Sequence, residues 1–510
     1  MRLIRPLPRH ITRPLSWLVL LAWVASMAML VHRSYLQASA ANLATDLARY
    51  GTAAQWRGVY YRGEKIGFTV SQTLPTEDGF ELQEDGRLQM SLLGATTPAA
   101  IRTTARVDKT FALRSFDFSL DPGTGPIQVS GALEGLTLTL SITSNGTTRS
   151  EVRTLAEPPA LMLSLARRLA AEGLAEGARH QWTMFDPATM RNAPVAVDVG
   201  GRELVRSGER PIPAFRVTLT FAGLQTTAWV TDTGEVVREE SPMGLLTVAE
   251  SQERAVALAV PRNVQVDLLE ASAVVPIGKH RIEEPRDVKR IRLRVEGADL
   301  SSPDLQGVGQ RVDGDVIEVT DPRDLQAEPG APDLSPYLQP EPFIESDAAA
   351  IVAEAARALE GYTEPRARVE RLTRYVNALL DKKPTVSLPS AVEVLRTKVG
   401  DCNEHTALFV ALARAARIPS RIAVGLVSVR NAFYYHAWPE VYIDEGHGRG
   451  LWLPVDPTFN QFPADATHLR LARGGLDKQA AILPLIGRVK MTMLDLELAP
   501  RSAPVLVGRP

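Results

Sequence analysis

The sequence predicts an α+β chain in three parts: an N-terminal transmembrane helix, an antiparallel β-rich region and a C-terminal unit of mixed helices and strands. Three observations support this prediction. An uncharged apolar run covers 15–31, period-two alternation dominates from about 53 to 261, and helical patterns follow a proline-rich stretch at 327–343. A length of 510 residues is enough for several hydrophobic cores.

The composition limits the function classes. With 45% hydrophobic and 23% charged residues the chain is typical of globular proteins. A net charge of −2 provides no positive field, so we expect no nucleic-acid partner. One cysteine cannot form an internal disulfide, and the sequence lacks Cys-x-x-Cys, His-Glu-x-x-His and phosphate-loop motifs. We therefore predict no metal and no cofactor.

The predicted division of the chain follows these changes in pattern. It comprises a cytoplasmic N-terminus at 1–14, a transmembrane signal-anchor at 15–31, an antiparallel β-rich domain at 45–265, a small β unit at 270–326, a Pro-rich linker at 327–343 and a catalytic domain at 344–498.

The charges around the apolar run predict its orientation. Four arginines precede it: Arg2, Arg5, Arg9 and Arg13. Only Arg33 and the weak base His32 stand just after it, so the positive-inside rule places the N-terminus in the cytoplasm. We therefore predict a single-pass anchor in the inner membrane, with the bulk of the chain periplasmic. The alternative is a signal peptide cleaved at Ala38-Ser39-Ala40.

The β-rich region has a regular alternation of apolar and polar residues, as in Gly67–Leu74 and Leu136–Ile142. Turn signals such as Asp85-Gly86 and Asn145-Gly146 separate the runs, which predicts an antiparallel meander with one face in water. The region has no cluster of chemically reactive residues. Substrate delivery, partner binding and simple spacing from the membrane remain open as its role.

The reactive residues of the chain begin at its single cysteine, Cys402. It starts an apolar, helix-forming run, and Asp401 with Glu404 three residues later forms a capping box. A thiol in the first helical turn lies near unsatisfied N–H groups and the positive end of the helix dipole, and both favour the thiolate. Cys402 is therefore a candidate nucleophile.

Two later residues provide the rest of a cysteine nucleophile's machinery. His436 lies in an aromatic, strand-like segment, and Asp456 ends a second short strand. Neighbouring antiparallel strands can pair His436 with Asp456 and leave the other imidazole nitrogen facing the helix. His405, on the same helix as Cys402, has no evident carboxylate partner. We interpret it as a supporting or solvent-facing residue.

These segments resemble the transglutaminase-like superfamily core. The resemblance rests on GDCNEHTALFVALARAARIPSR from Gly400, YHAWPEVY from Tyr435 and WLPVDPTF from Trp452. It extends through the stretches that end at His468 and at Gly487. It covers roughly 344–498. It implies a papain-like fold with a catalytic triad whose members are Cys402, His436 and Asp456.

The chain departs from that family at two places. Arg417 stands where the family usually has Gly, a difference that concerns backbone geometry. Animal transglutaminases donate to the oxyanion from an upstream Trp, and this chain has no Trp between Trp229 and Trp438. The backbone N–H of Cys402 is then the default oxyanion donor.

The expected function is acyl transfer through a Cys402 thioester on peptide or protein amides. Hydrolysis, as in a peptidase or amidase, is favoured over cross-linking, and cell-wall peptides are one candidate substrate class. The alternative is a non-catalytic extracytoplasmic binding or scaffold protein that keeps the fold. In a further alternative the β-rich region carries the main function. The sequence does not indicate an oligomeric state.

Overall fold

The computed structural model describes residues 50–500 except 52, 62, 93–94, 122–125, 145–146, 189, 208–209, 222–223, 242–243, 258–272, 299, 331, 342, 384–389 and 475–488. The predicted segments 1–14 and 15–31 lie outside these residues. The features below belong to the compact unit that begins at Gln55.

The prediction of an N-terminal transmembrane helix is not supported, and neither is the single-pass inner-membrane location inferred from it. None of the helices among the described residues is both long and apolar enough to cross a membrane. The longest, Pro365–Leu379, has 15 residues and carries several arginines, whereas a span needs about 20 apolar residues. The fold class is therefore corrected to a strand-rich α+β chain.

The β-rich region forms one antiparallel sheet with fourteen strands in the described residues. Its strands are β1 Gln55–Tyr61, β2 Glu64–Pro75, β3 Gly79–Leu92, β4 Ala95–Asp108, β5 Leu113–Asp121, β6 Ile127–Glu134, β7 Thr137–Ser144, β8 Thr147–Thr154, β9 Arg179–Asp186, β10 Arg191–Ser207, β11 Arg210–Phe221, β12 Leu224–Val230, β13 Val236–Glu240 and β14 Leu245–Glu250. Two meanders, β1–β8 and β9–β14, join because β1 pairs with β14. Helix α1, Met162–Glu172, connects β8 to β9.

The alternating pattern places the apolar residues of successive strands side by side. Leu82 pairs with Ala105, and Ala105 pairs with Phe116 in the next strand. Phe116 faces Gly131 so closely that a Cβ there would lie 2.2 Å from its ring. The larger of these side chains belong to one buried cluster, so one face of this half of the sheet is a core.

One predicted turn of the sheet is wrong. Asp85-Gly86, interpreted as a turn, lies inside the continuous strand β3. Asp85 is fully buried, and its carboxylate accepts a hydrogen bond from Arg102 of β4 at 2.9 Å. This cross-strand ion pair allows an Asp-Gly pair to stay in the ladder, which the local turn propensity does not reveal.

The rest of the chain forms three smaller sheets. The first, in the order β16-β17-β15-β25, contains β15 Val288–Glu296, β16 Gln310–Asp313, β17 Val316–Thr320 and β25 Lys490–Leu498. The second, in the order β18-β23-β22-β21-β24, contains β18 Glu328–Pro329, β21 Ser420–Val429, β22 Ala432–Gly446, β23 Arg449–Pro454 and β24 Leu469–Arg473. The third pairs β19 Asp381–Lys382 with β20 Val399–Gly400.

Five further helices complete the described elements: α2 Gln252–Val256, α3 Ala349–Ala358, α4 Pro365–Leu379, α5 Ala391–Thr397 and α6 Cys402–Ala415. Helix α6 is buried along most of its length, and its apolar side chains share one core with those of α3, α4, β15, β22 and β25. The four-stranded and five-stranded sheets thus enclose the same core as the helix that begins at Cys402.

Two adjacent residues connect this core to the large sheet. Phe343 is buried in the cluster formed by β3–β7, whereas Ile344 is buried in the core around α6. Phe343 has a φ of 69°, a left-handed conformation that is uncommon for a bulky residue. The backbone bend sends two consecutive side chains into different cores.

An ionic cluster fixes the five-stranded sheet. Glu440 of β22 is fully buried and accepts hydrogen bonds from Arg421, Arg470 and Arg473 at 2.6–2.9 Å. Arg470 also donates to the backbone carbonyls of 304–307 at 2.7–3.2 Å. Strands β21, β22 and β24 are thereby joined to the segment that precedes β16.

Candidate active site

The N-terminus of α6 is capped by the two residues that the sequence indicated. The Asp401 carboxylate accepts the backbone N–H of Asn403 at 2.9 Å, and Glu404 accepts the backbone N–H of Asp401 at 2.8 Å. Gly400 allows this arrangement, because a Cβ there would lie 2.2 Å from the Glu404 side chain. The capping box therefore fixes Cys402 as the first residue of the helix.

The residue of strand β22 that directly follows His436 is hydrogen-bonded to the N-terminal part of α6. The hydroxyl of Thr406 donates to the backbone carbonyl of Ala437 at 3.0 Å. The backbone of Ala437 also forms a hydrogen bond with Cys402 that favours the thiolate. These two contacts hold the cysteine beside the strand residue that follows the histidine.

His436 and Asp456 meet as the sequence suggested. His436 Nε2 lies 2.8 Å from Asp456 Oδ2, and both side chains are buried. The other oxygen of Asp456 accepts the backbone N–H groups of Thr458 and Phe459 at 2.7 and 3.0 Å. Because Nε2 is engaged by the carboxylate, Nδ1 is the nitrogen available for proton transfer.

A second histidine, to which the sequence analysis assigned no role, contacts the same carboxylate. His468 Nε2 lies 3.0 Å from Asp456 Oδ2. Its Nδ1 lies 3.1 Å from the backbone carbonyl of Asp465 and 3.2 Å from the Asp465 Oδ1. The stretch ending at His468 contributed to the family resemblance, which was the one signal that could have drawn attention to it.

Both carboxylates in this group are strongly acidic. Burial opposes ionisation of Asp456, but His436 and His468 outweigh it and hold its pKa well below the usual range. Burial likewise opposes ionisation of Asp465, and hydrogen bonds from His468 and Thr467 lower its pKa. Both groups are therefore carboxylates, and hence hydrogen-bond acceptors only, at neutral pH.

The electrostatics of Cys402 differ from the sequence-based expectation. The residue is half-buried, and burial raises the pKa of its thiol well above the usual value. The carboxylate of Asp401 acts in the same direction, whereas the hydrogen bond from Ala437 opposes it. The helix terminus alone predicted a thiolate, but the acidic cap and the dehydrated surroundings favour the neutral thiol in the resting site.

His405 does not face solvent. It is completely buried, and its Nδ1 lies 2.7 Å from the backbone carbonyl of Asp401. Burial lowers the pKa of His405, and its Nε2 has no hydrogen-bond partner among the described residues. Since it contacts the cap of α6, His405 is a neutral supporting residue of the helix terminus.

Aromatic rings enclose the histidines. Phe459 stacks on His436 with ring centroids 5.0 Å apart, although 43% of Phe459 is exposed. Trp438 is buried and packs edge-on against His468 at 5.1 Å. The imidazole of His436 therefore has an apolar cover whose outer face is accessible to a substrate.

His436, Asp456 and His468 are also the one group among the described residues whose ligand atoms could hold a metal ion, since the atoms lie within 4.8 Å of one another. The two nitrogen–oxygen distances of 2.8 and 3.0 Å are those of hydrogen bonds, and the second oxygen of Asp456 is occupied by backbone N–H groups. The ligand atoms of this group are thus already satisfied by hydrogen bonds to one another and to the backbone.

Comparison with protein families agrees with this geometry. Residues 353–457 match the transglutaminase-like superfamily, and this span contains Cys402, His436 and Asp456. This part of the chain is thus a transglutaminase-like domain. No curated protein matches the chain significantly.

Several solved structures show partial similarity. A candidate cysteine protease from Cytophaga hutchinsonii is 16% identical, with 42% of this chain and 89% of the other covered at a TM-score of 0.28. A β-barrel-like protein of unknown function from Brucella abortus is 14% identical. The match covers 39% of this chain and 96% of the other, with a TM-score of 0.31. A candidate protease from Parabacteroides distasonis is 9% identical. The match covers 74% of this chain and 70% of the other, with a TM-score of 0.19. Similarity this low assigns no function to the chain.

Proposed function

We propose that the chain is a cysteine acyl-transfer enzyme that acts on peptide or protein amides, with hydrolysis favoured over cross-linking. The observation that carries the proposal is the His436–Asp456 contact of 2.8 Å beside a helix terminus whose cysteine is hydrogen-bonded to Ala437. A base held by a carboxylate next to a thiol is the arrangement required for nucleophilic catalysis.

In the proposed reaction the neutral thiol of Cys402 loses its proton to Nδ1 of His436 as sulfur attacks the amide carbonyl. The new carbon–sulfur bond places the carbonyl electron pair on oxygen, where the backbone N–H of Cys402 is the proposed donor. Collapse of this intermediate breaks the carbon–nitrogen bond, and His436 returns the proton to the leaving amine. The products are a free amine and a Cys402 thioester.

In the proposed hydrolysis, water completes the catalytic cycle by cleaving the thioester. His436 removes a proton from water, the hydroxide oxygen attacks the thioester, and the proton returns to the thiolate as the carbon–sulfur bond breaks. Cys402 is only partly accessible, so a small acceptor such as water reaches the thioester more readily than a lysine side chain does, and this supports hydrolysis over cross-linking. Peptides of the cell wall remain a candidate substrate class.

The first experiment measures the rate of Cys402 alkylation by chloroacetamide from pH 5 to 9 in the full chain and in His436→Ala. The raised pKa of the thiol predicts slow labelling of the variant at neutral pH, because no base accepts the proton. We expect wild type to react at least about tenfold faster at pH 7. His405→Asn, which keeps a donor near the position of Nδ1, is the control and should retain most of the rate.

Equal rates in wild type and His436→Ala would contradict the enzyme proposal and favour the binding or scaffold alternative. If His436 does accelerate labelling, mass spectrometry of peptide libraries with and without an added primary amine separates the two acceptors. Hydrolysis predicts free carboxylate products in both samples, whereas cross-linking predicts amine adducts.

A further inference from the structure

The carboxylate of Asp456 has all of its acceptor positions filled. Oδ1 accepts two backbone N–H groups, and Oδ2 lies within hydrogen-bond distance of both His436 Nε2 and His468 Nε2. A base-orienting carboxylate requires only one imidazole. The second imidazole, 5.8 Å from the first between ring centroids, therefore needs its own explanation.

Both ring nitrogens of His468 face acceptors. Nε2 faces the carboxylate of Asp456, and Nδ1 faces the carbonyl and carboxylate oxygens of Asp465. Asp465 is held in place by Gln461 at 2.8 Å and by the hydroxyl and backbone N–H of Thr467 at 2.6 and 2.9 Å. Since ionised carboxylates only accept, both nitrogens of His468 must donate, which makes the ring an imidazolium.

The electrostatic balance agrees with this assignment. Burial opposes the charged ring, but the hydrogen bonds to Asp456 and Asp465 outweigh it and raise the pKa of His468 to about 10. The hydrogen-bond geometry and the electrostatics thus both assign His468 a positive charge at neutral pH.

We propose that His468 is a positioning residue of the acyl-transfer site: as a buried imidazolium it holds Asp456 against His436 and sets the pH range in which Cys402 loses its proton. This inference rests on the proposed function and adds a fourth residue to it.

The sign of the effect follows from the charges around the site. The titratable and charged groups around it are Asp401 at the cap of α6, Cys402, Glu404 and His405 of α6, Lys382 of β19, Tyr435 and His436 of β22, Asp456, Asp465, and Arg323, which interacts with Asp465. The acidic groups favour protonated neighbours, and His468 counteracts them. Replacing His468 by a neutral residue should therefore move proton loss at the site to higher pH.

Two variants separate the charge of His468 from its hydrogen bonds. The amide nitrogen of His468→Gln falls near the position of Nε2 and can still donate to Asp456, whereas that of His468→Asn falls near Nδ1 and donates to Asp465. Both remove the charge. The measurement is again chloroacetamide labelling of Cys402 from pH 5 to 9 in the full chain. The matched control is His180→Gln, which replaces a histidine of β9 that pairs with Glu172 instead of with a residue of the site.

We expect the pH at which the labelling rate rises to be about one unit higher in both variants than in wild type. His468→Gln should keep the plateau rate, and His468→Asn should lose about tenfold because Asp456 is no longer held from that side. His180→Gln should leave the rate profile at its wild-type position. Unshifted rate profiles in folded His468 variants would overturn the proposal, even when the variants are less stable.

A measurement on wild type covers the case in which neither variant folds. The chain has eight histidines, and nitrogen-15 spectra of the imidazoles at pH 9 should show one ring with protons on both nitrogens. If every ring is neutral at pH 9, the proposal fails. Failure of the enzyme proposal would be seen separately, as equal labelling of wild type and His436→Ala.

Discussion

The hydroxyl of Thr406 donates to the backbone carbonyl of Ala437 at 3.0 Å, and both residues are buried. Thr406 lies one turn after the nucleophile, and Ala437 directly follows the base. Together with the hydrogen bond between Ala437 and Cys402, this bond therefore fixes the distance between the start of α6 and strand β22, and through it the alignment of cysteine and histidine.

Thr406→Val should weaken that alignment. The substitution keeps the shape of the side chain but leaves a buried carbonyl without its partner, which costs about 1–3 kcal/mol of unfolding free energy. We expect a severalfold loss of the His436-dependent alkylation rate of Cys402, because small displacements reduce proton transfer. Chemical denaturation and labelling at pH 7 measure the two effects.

Thr373→Val is the matched control. Thr373 is also fully buried, and its hydroxyl bonds to the carbonyl of Val369 within α4 at 2.9 Å. Loss of this bond should leave the labelling rate at the wild-type value. If Thr406→Val behaves in the same way, the bond to Ala437 does not align the site.

Acid should remove the contribution of Glu440 to stability. Burial opposes its ionisation, but Arg470, Arg473 and Arg421 lower its pKa to about 2, compared with about 4.3 in the unfolded chain. A carboxyl whose pKa falls on folding stabilises the fold above its unfolded pKa. The stabilisation is therefore lost as pH falls from about 4.5 to 2, by up to about 3 kcal/mol. Burial lowers the pKa of Arg470 to about 10, which offsets part of this gain.

Glu440→Gln tests the cluster at neutral pH. Three arginines would then share a buried site without a counter-charge, so we expect a loss of about 3–5 kcal/mol of unfolding free energy. Glu370→Gln, which breaks the exposed pair with Arg374, should cost less than about 1 kcal/mol. Urea titrations at pH 7 and pH 3 should show that the Glu440→Gln deficit shrinks in acid. If the loss of unfolding free energy in Glu440→Gln is the same at both pH values, Glu440 is not the ionised partner of the three arginines.

Phe343→Ala should separate the large sheet from the core around α6. Removal of a buried phenylalanine costs about 3–5 kcal/mol, and here the loss falls on the sheet cluster because Ile344 remains in the other core. We expect the circular-dichroism transition of the sheet to move to lower denaturant, while the denaturant dependence of Cys402 alkylation stays near that of wild type.

Leu204→Ala is the control for that change. Leu204 lies on the same sheet in β10 but is 72% exposed, so its truncation should shift neither transition measurably. If the two probes move together in Phe343→Ala, the sheet and the core unfold as one cooperative unit.

Features that depend on short stretches of sequence could be predicted from the sequence alone. The capping box at Asp401 and Glu404, the burial of α6 and the contact between His436 and Asp456 depend on helix signals and strand order, and the structure contains all three. The catalytic roles of these residues remain proposals.

The remainder depends on contacts that no local pattern contains. His468 approaches Asp456 through an irregular segment after β23, where periodicity predicts nothing. The thiol of Cys402 was expected to be acidic from its helix position, but burial and Asp401 reverse the balance. At the N-terminus, charge pattern and apolar length suggested an anchor at 15–31 that the described helices do not support.

The pairing of β25 with β15 has a consequence for biosynthesis. Residues near 290 form their sheet with residues near 495, and both strands contribute side chains to the core that buries α6. Contacts this distant in sequence form late, because the intervening chain must first be made and closed into a loop. During synthesis the thiol of Cys402 therefore leaves the ribosome before its own core can close. The nascent chain gains a finished site only once residue 498 has emerged.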